Sequence, residues 1–137
     1  MGNFRAQAPA GGWAEPVRVD PVRLFRFSAV TFNSHRIHYD QPYTVGTERY
    51  PGLVVHGPLT ALLLAESARR RGRAGSALNF RASVPLFADV AFTLVGQVDP
   101  DGIRLSAVRN DGRPAMTALL TSEEPGQEAG FVRDKSY

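Results

Sequence analysis

The chain has 137 residues, 43% of them hydrophobic and 21% charged, which suits one domain with one modest core that gains from association. It has no cysteine, which excludes disulfides, thiol nucleophiles and zinc–thiolate sites; a reducing cytoplasm fits. The net charge is +3, and much of the excess sits in Arg69, Arg70, Arg71 and Arg73. That run suits a solvated helix C-terminus or the phosphates of a nucleotide-tailed ligand; with no stacking or recognition motif beside it, nucleic acid is not an expected partner.

Residues 1–19 read as an irregular arm, rich in Gly, Ala and Pro. The arm lacks the apolar core of a secretory signal. The run 20–29, DPVRLFRFSA, fits a short helix or turn after Asp20-Pro21, with strand alternation nearly as good. A polar loop follows through Asn33-Ser34-His35. Asp40 offers an N-cap for a short helix, DQPYTVG, with Pro42 in its first turn. After a turn at Tyr50-Pro51-Gly52, residues 55–71 predict the one substantial helix, opened by Pro58 and ended by Gly72 and Gly75. Its first half is apolar almost all round, which predicts burial on several sides. The stretch Leu59 to Ala65 is too short to cross a bilayer, so no membrane partner is expected.

The pattern then changes to period two. Strands are predicted at 77–84, 89–99, 102–109 and 113–122, with hairpin turns at Asp99-Pro100-Asp101-Gly102 and Asn110-Asp111-Gly112. A buried helix followed by an antiparallel meander is an α+β layout. A curved sheet around a central helix describes the hotdog fold, expected as a single domain over 20–123. Residues 124–137 are polar and read as a flexible tail.

All three histidines, His35, His38 and His56, lie close together in sequence. Three readings compete for them. A metal site is poorly served, because His35-x-x-His38 with Asp40 has no compact third ligand. Structural hydrogen bonding is the ordinary fate of His35 and His56. The third is acid–base catalysis by His38 on a thioester, with Asn33 to hold a water and backbone N–H groups at Gly57, where the helix begins, to meet the thioester oxygen.

The stretch LFRFSAVTFNSHRIHYDQPY, followed by YPGLVVHGPLTALLL, resembles the type 2 hydroxyacyl-thioester dehydratases and the mesaconyl-CoA hydratase-like proteins of the MaoC/(R)-specific enoyl-CoA hydratase superfamily. The resemblance covers residues 24–64 and continues more weakly through NFRASVPLF at 79–87. It implies a hotdog fold, an acyl-CoA or acyl-carrier thioester substrate, and no metal or other cofactor. In the superfamily's motif an Asp and a His, five residues apart, flank the catalytic water. His38 takes the His position and Asn33 the Asp position. An amide orients water but cannot accept its proton, so His38 must carry more of the proton traffic. Gly57 matches the residue whose N–H binds the thioester oxygen. Arg36 stands as a partner for a substrate carboxylate or CoA phosphate, or else in an ion pair within the chain. His35, Tyr39 and His56 are placed beside the substrate, with packing roles as their alternatives, and Asp40 is read as the cap of its helix.

The resemblance predicts a hydro-lyase interconverting 3-hydroxyacyl and 2-enoyl thioesters, acting as a homodimer or as a heterodimer with a second hotdog subunit. Two alternatives stand beside it. One is a hotdog thioesterase, for which Glu66 is the only carboxylate on the central helix. The other is a non-catalytic acyl-thioester-binding subunit, favoured by the amide at Asn33.

Overall fold

The computed structural model describes residues 3–122, so the tail expected at 124–137 lies outside the described residues. Helix α1 spans Pro21–Val30. Asp20 caps it, its Oδ1 accepting the Arg23 N–H at 2.8 Å, and Pro21 fills the first position, where no N–H is needed. Its buried residues, Leu24 and Ser28, are one turn apart. That spacing decides for helix over the strand alternative at 20–29. A single 3₁₀ turn at Arg36–His38 leads to helix α2, Gln41–Gly46. Asp40 caps α2 as expected, accepting the Tyr43 N–H at 3.1 Å. Helix α3, Gly57–Arg69, is the central helix.

Five strands form one antiparallel sheet in the order β1-β3-β4-β5-β2: β1 Trp13–Val17, β2 Ala77–Ala82, β3 Phe92–Asp99, β4 Gly102–Val108 and β5 Pro114–Thr121. The sheet packs on α3, the hotdog arrangement. Leu59, Leu64 and Ala68 of α3 meet Leu94, Leu105 and Ala107 in the core. Leu62 is the exception on the helix at 57% exposure, so the apolar first half of α3 is not covered all round.

Three expectations need correction. The arm at 1–19 is not irregular throughout: residues 13–17 form β1, an edge strand in register with β3 from Trp13↔Gly96 to Val17↔Phe92. Small residues around Trp13 hid the strand, and the sheet therefore starts before residue 20. The strands are not a simple meander either, because β2 crosses to the far edge and pairs with β5. Finally, the predicted strand at 89–99 begins only at Phe92. Asp89 adopts a left-handed φ of 62° and donates its N–H to the Val19 carbonyl, which turns the chain before β3.

The arginine run is largely consumed within the fold. Arg69 pairs with Glu66 at 2.6 Å, and Arg70 and Arg71 both close on Glu15 of β1. The helix-end reading thus holds for these three, with Glu15 tying β1 to the end of α3. Among the described residues no helix is long and apolar enough to cross a membrane.

Candidate active site

His38 closes the 3₁₀ turn, its N–H donating to the His35 carbonyl at 3.2 Å. Its ring is buried, and Nδ1 lies 2.7 Å from the Val54 carbonyl oxygen. A carbonyl only accepts, so Nδ1 carries a proton, and in the neutral ring Nε2 presents a lone pair. The Val54 N–H in turn donates to the Ile37 carbonyl at 2.9 Å. The turn and the segment before α3 are thereby stitched together on both sides of His38.

The ring forms part of the wall of a mainly apolar cavity of about 270 Å³. Gly57 and Thr60 of α3, Ala82 at the end of β2 with the 83–86 segment after it, and Ala115 and Met116 of β5 complete most of the wall. Among the described residues no carboxylate and no arginine or lysine lines it. Gly57 is the first residue of α3, where backbone N–H groups are left without helical acceptors. Pro58 has no N–H, and the Thr60 N–H goes to the His56 carbonyl at 3.1 Å. The Gly57 and Leu59 N–H groups are left, and of these two residues only Gly57 lines the cavity, at the positive end of the helix dipole. A methyl group at Gly57 would meet only Met116 Cε, at 4.0 Å, so the space above this backbone is open.

Behind His38 lies His56, 1% exposed, with the two rings stacked at 3.7 Å and tilted by 18°. Ser28 Oγ and His56 Nε2 share a hydrogen bond at 2.7 Å, and Phe27 packs its ring edge-on at 4.7 Å. His56 Nδ1 is buried with no partner among the described residues. Burial, with the neighbouring His38, pushes the His56 imidazole down to about 4. Burial also lowers His38; the Val54 carbonyl opposes that shift and His35 adds to it.

A stability prediction follows from His56. Unfolded, this ring takes up its proton near the ordinary value of 6.5; folded, it stays neutral down to about 4. The unfolded state therefore binds more protons across that window, and stability falls as pH drops from 6.5 to about 4. The slope is at most about 1.4 kcal/mol per pH unit for one proton. Thermal melts of wild type and His56→Phe across the window check this, and the variant should show the flatter dependence.

The structure brings together only part of the predicted set. His38 and Gly57 share the cavity. Asn33 does not line it: its Oδ1 accepts the His35 N–H at 3.0 Å and so shapes the loop. Arg36 does not line it either, because its guanidinium binds Asp40 Oδ2 at 2.8 Å and lies 3.9 Å over the Tyr43 ring. That pair holds the Asp40 carboxyl below its ordinary range. Tyr39 donates its hydroxyl to the Ser34 carbonyl at 3.1 Å, and His35 is exposed, edge-on to His38 at 6.5 Å. The placement of His56 beside substrate is corrected, since it sits behind His38 and not on the cavity wall. Glu66 is paired with Arg69 and also lies off this cavity. Sequence reasoning missed Ser28 and the Val54 carbonyl. Ser28 had a faint signal, a polar residue one turn from buried Leu24, whereas a backbone carbonyl leaves none. Among the described residues no group of three or more His, Cys, Asp or Glu side chains is placed to hold a metal.

Comparison with known proteins agrees with this architecture. The model of the family hydroxyacyl-thioester dehydratase type 2 matches residues 3–88. Mesaconyl-C(4)-CoA hydratase of Chloroflexus aurantiacus is 52% identical over 102 residues, covering 74% of this chain and 36% of that protein. The chain thus spans about a third of that relative's length. Among solved structures, the (R)-hydratase from A. caviae involved in PHA biosynthesis superposes with a TM-score of 0.69 at 16% identity, covering 82% of this chain and 94% of the other. The ChsH1–ChsH2 complex from Mycobacterium tuberculosis gives 0.66 at 16% identity, covering 88% of this chain and 96% of the other. These two likenesses show the fold. With more than half of its length matched by the family model, and with the sheet-on-helix architecture of the MaoC-like hotdog hydratases, the chain belongs to the hydroxyacyl-thioester dehydratase type 2 family.

Proposed function

We propose that the chain adds water to a 2-enoyl thioester, or removes it from a 3-hydroxyacyl thioester, with His38 as the acid–base group. The observation that carries this reading is one cavity walled by both the His38 ring, with Nε2 unengaged, and Gly57 at the start of α3. In the hydration direction Nε2 takes a proton from water as its oxygen bonds to C3 of the enoyl group. The electron pair moves onto the thioester oxygen, where the Gly57 N–H meets the developing charge. His38 then returns the proton at C2, so the ring ends as it began. Because no carboxylate lines the cavity, the described residues leave this proton traffic to His38. Asn33, held in its loop contact, would act by shaping the segment that carries His35 and His38.

The mainly apolar wall suits an acyl chain, and we include in this reading an acyl-CoA or acyl-carrier thioester, with a mesaconyl-type diacid, as in the relative's name, among its candidates. The partner we infer is a second hotdog, either another copy or a different subunit. Edge strand β2 supports it, with Phe80 49% exposed, as does uncovered Leu62. The test offers the purified chain crotonyl-CoA and mesaconyl-CoA. Loss of enoyl absorbance supports the reading, and release of free CoA without it would overturn it in favour of a thioesterase. Activity appearing only with a second hotdog protein would favour the non-catalytic-subunit alternative, which the missing carboxylate supports.

Gly57→Ala provides a sharper check. The added methyl finds open space in the protein and replaces a flexible residue in a helix, so the melting temperature should hold or rise slightly. It nevertheless stands where a thioester oxygen must approach the backbone. Hydration should fall by roughly ten- to a hundredfold, within the range for losing an oxyanion contact. Wild-type turnover in this variant would remove Gly57 from the mechanism.

A further inference from the structure

We propose that Ser28 and His56 are positioning residues for His38: their hydrogen bond fixes the buried ring of His56, and that ring, stacked at 3.7 Å, fixes the plane of His38 and the line along which Nε2 meets a water in the cavity. This rests on the reading of His38 as the acid–base group.

The geometry supplies the need and the device. The hydrogen bond from Nδ1 to the Val54 carbonyl holds one atom of the His38 ring. A ring held at one atom can still tilt about that contact, and tilt moves Nε2. A flat surface against the ring face removes that freedom, and His56 provides it at an 18° tilt. His56 is in turn held from two sides, by Ser28 through Nε2 and by the Phe27 ring edge. The chain of contacts therefore runs from α1, through the residue that precedes α3, to the catalytic ring.

An apolar residue at position 56 would fill the same space without stranding a polar atom. His56 instead leaves Nδ1 buried without a partner, a cost that native interiors ordinarily avoid. What the imidazole supplies in return is the Nε2 anchor to Ser28. Its position also keeps a second cation away from His38. Around the stacked pair stand His35, edge-on to His38 at 6.5 Å, and the uncharged Ser28, Phe27 and Val54 carbonyl. Among the described residues no carboxylate or arginine lines the cavity side. Burial holds His56 neutral, so the imidazolium formed on His38 during turnover does not face a charged neighbour.

The experiment compares wild type with Ser28→Ala, His56→Ala and His56→Phe in the full chain. It uses two readouts: steady-state hydration of crotonyl-CoA and mesaconyl-CoA, and spectra of isotope-labelled histidine rings in the ligand-free protein. A misplaced catalytic group costs about a hundredfold, so His56→Ala should lose that much in kcat with KM within about twofold. His56→Phe keeps the flat face and should recover most of the loss. Ser28→Ala should fall between them, and it carries the test if His56→Ala does not fold. In the spectra, His38 should show one Nδ1–H tautomer in wild type and a mixture in His56→Ala. Unchanged kcat together with an unchanged tautomer, or a loss confined to KM, would overturn the proposal. If wild type hydrates neither thioester while the tautomer still responds to His56→Ala, the positioning stands and the hydratase reading fails.

Discussion

Replacing His38 with alanine is expected to lower kcat for thioester hydration by roughly a hundred- to ten-thousand-fold, the span typical of losing a general acid–base group. KM should stay within about threefold, because the lost ring acts mainly on the proton in flight and the apolar wall remains. Asn33→Ala gives the contrast. Asn33 is off the cavity and its Oδ1 holds the His35 N–H, so its loss should loosen the loop and cost less than the loss of His38. The pH profile supplies an independent check. His38 must be neutral to take a proton from water, and burial sets its folded value below the ordinary 6.5. The acid limb of kcat/KM should therefore have its midpoint below pH 6.5, with activity rising as pH increases through it. A midpoint at or above 6.5, or an alanine variant at full rate, would remove His38 from the mechanism.

The capping residues, the central helix and the hairpins were legible because each rests on a local rule. Asp20 and Asp40 cap through their own side chains, and Gly102 and Gly112 take the positive φ their turns need. Edge pairing was not legible, since nothing local in ALNFRA says that β2 joins β5 across the sheet. In the site, the spacing paired Asn33 with His38, and the structure puts only the histidine on the cavity wall while Asn33 is held in its loop. Arg36 was open between an anion receptor and an ion pair within the chain, and Asp40, four residues on, is its partner. Such a pair on a turn is cheap to form and hard to tell from a ligand site by composition. The Ser28–His56–His38 stack joins residues 28 and 18 apart, and depends on how α1 meets the start of α3. No periodicity carries that information.

The other large expected effect lies at Gly96, far from the chemistry. Gly96 faces Trp13 across the β1–β3 ladder, and a β-carbon there would lie 2.1 Å from Trp13 Cζ2. The indole cannot simply slide aside. Trp13 is 8% exposed, its Nε1 donates to Ser67 Oγ on α3 at 3.3 Å, and the Arg71 guanidinium lies 5.0 Å over the ring. Gly96→Ala must therefore displace a ring that ties an edge strand to the central helix. Overpacking of this kind costs about 1–3 kcal/mol, and the melting temperature should fall by several degrees, roughly 10 °C at the upper end. A smaller ring at position 13 relieves the clash, so Trp13→Phe should cost less in the Gly96→Ala background than alone, giving a coupling energy that a double-mutant cycle measures. Additive costs would show that the two residues do not meet as described. Ser67 lies ten residues beyond Gly57, about 15 Å along the helix. At temperatures where Gly96→Ala remains folded, its kcat should therefore stay near that of wild type, separating the clamp that holds α3 from the Gly57 end proposed to meet the thioester.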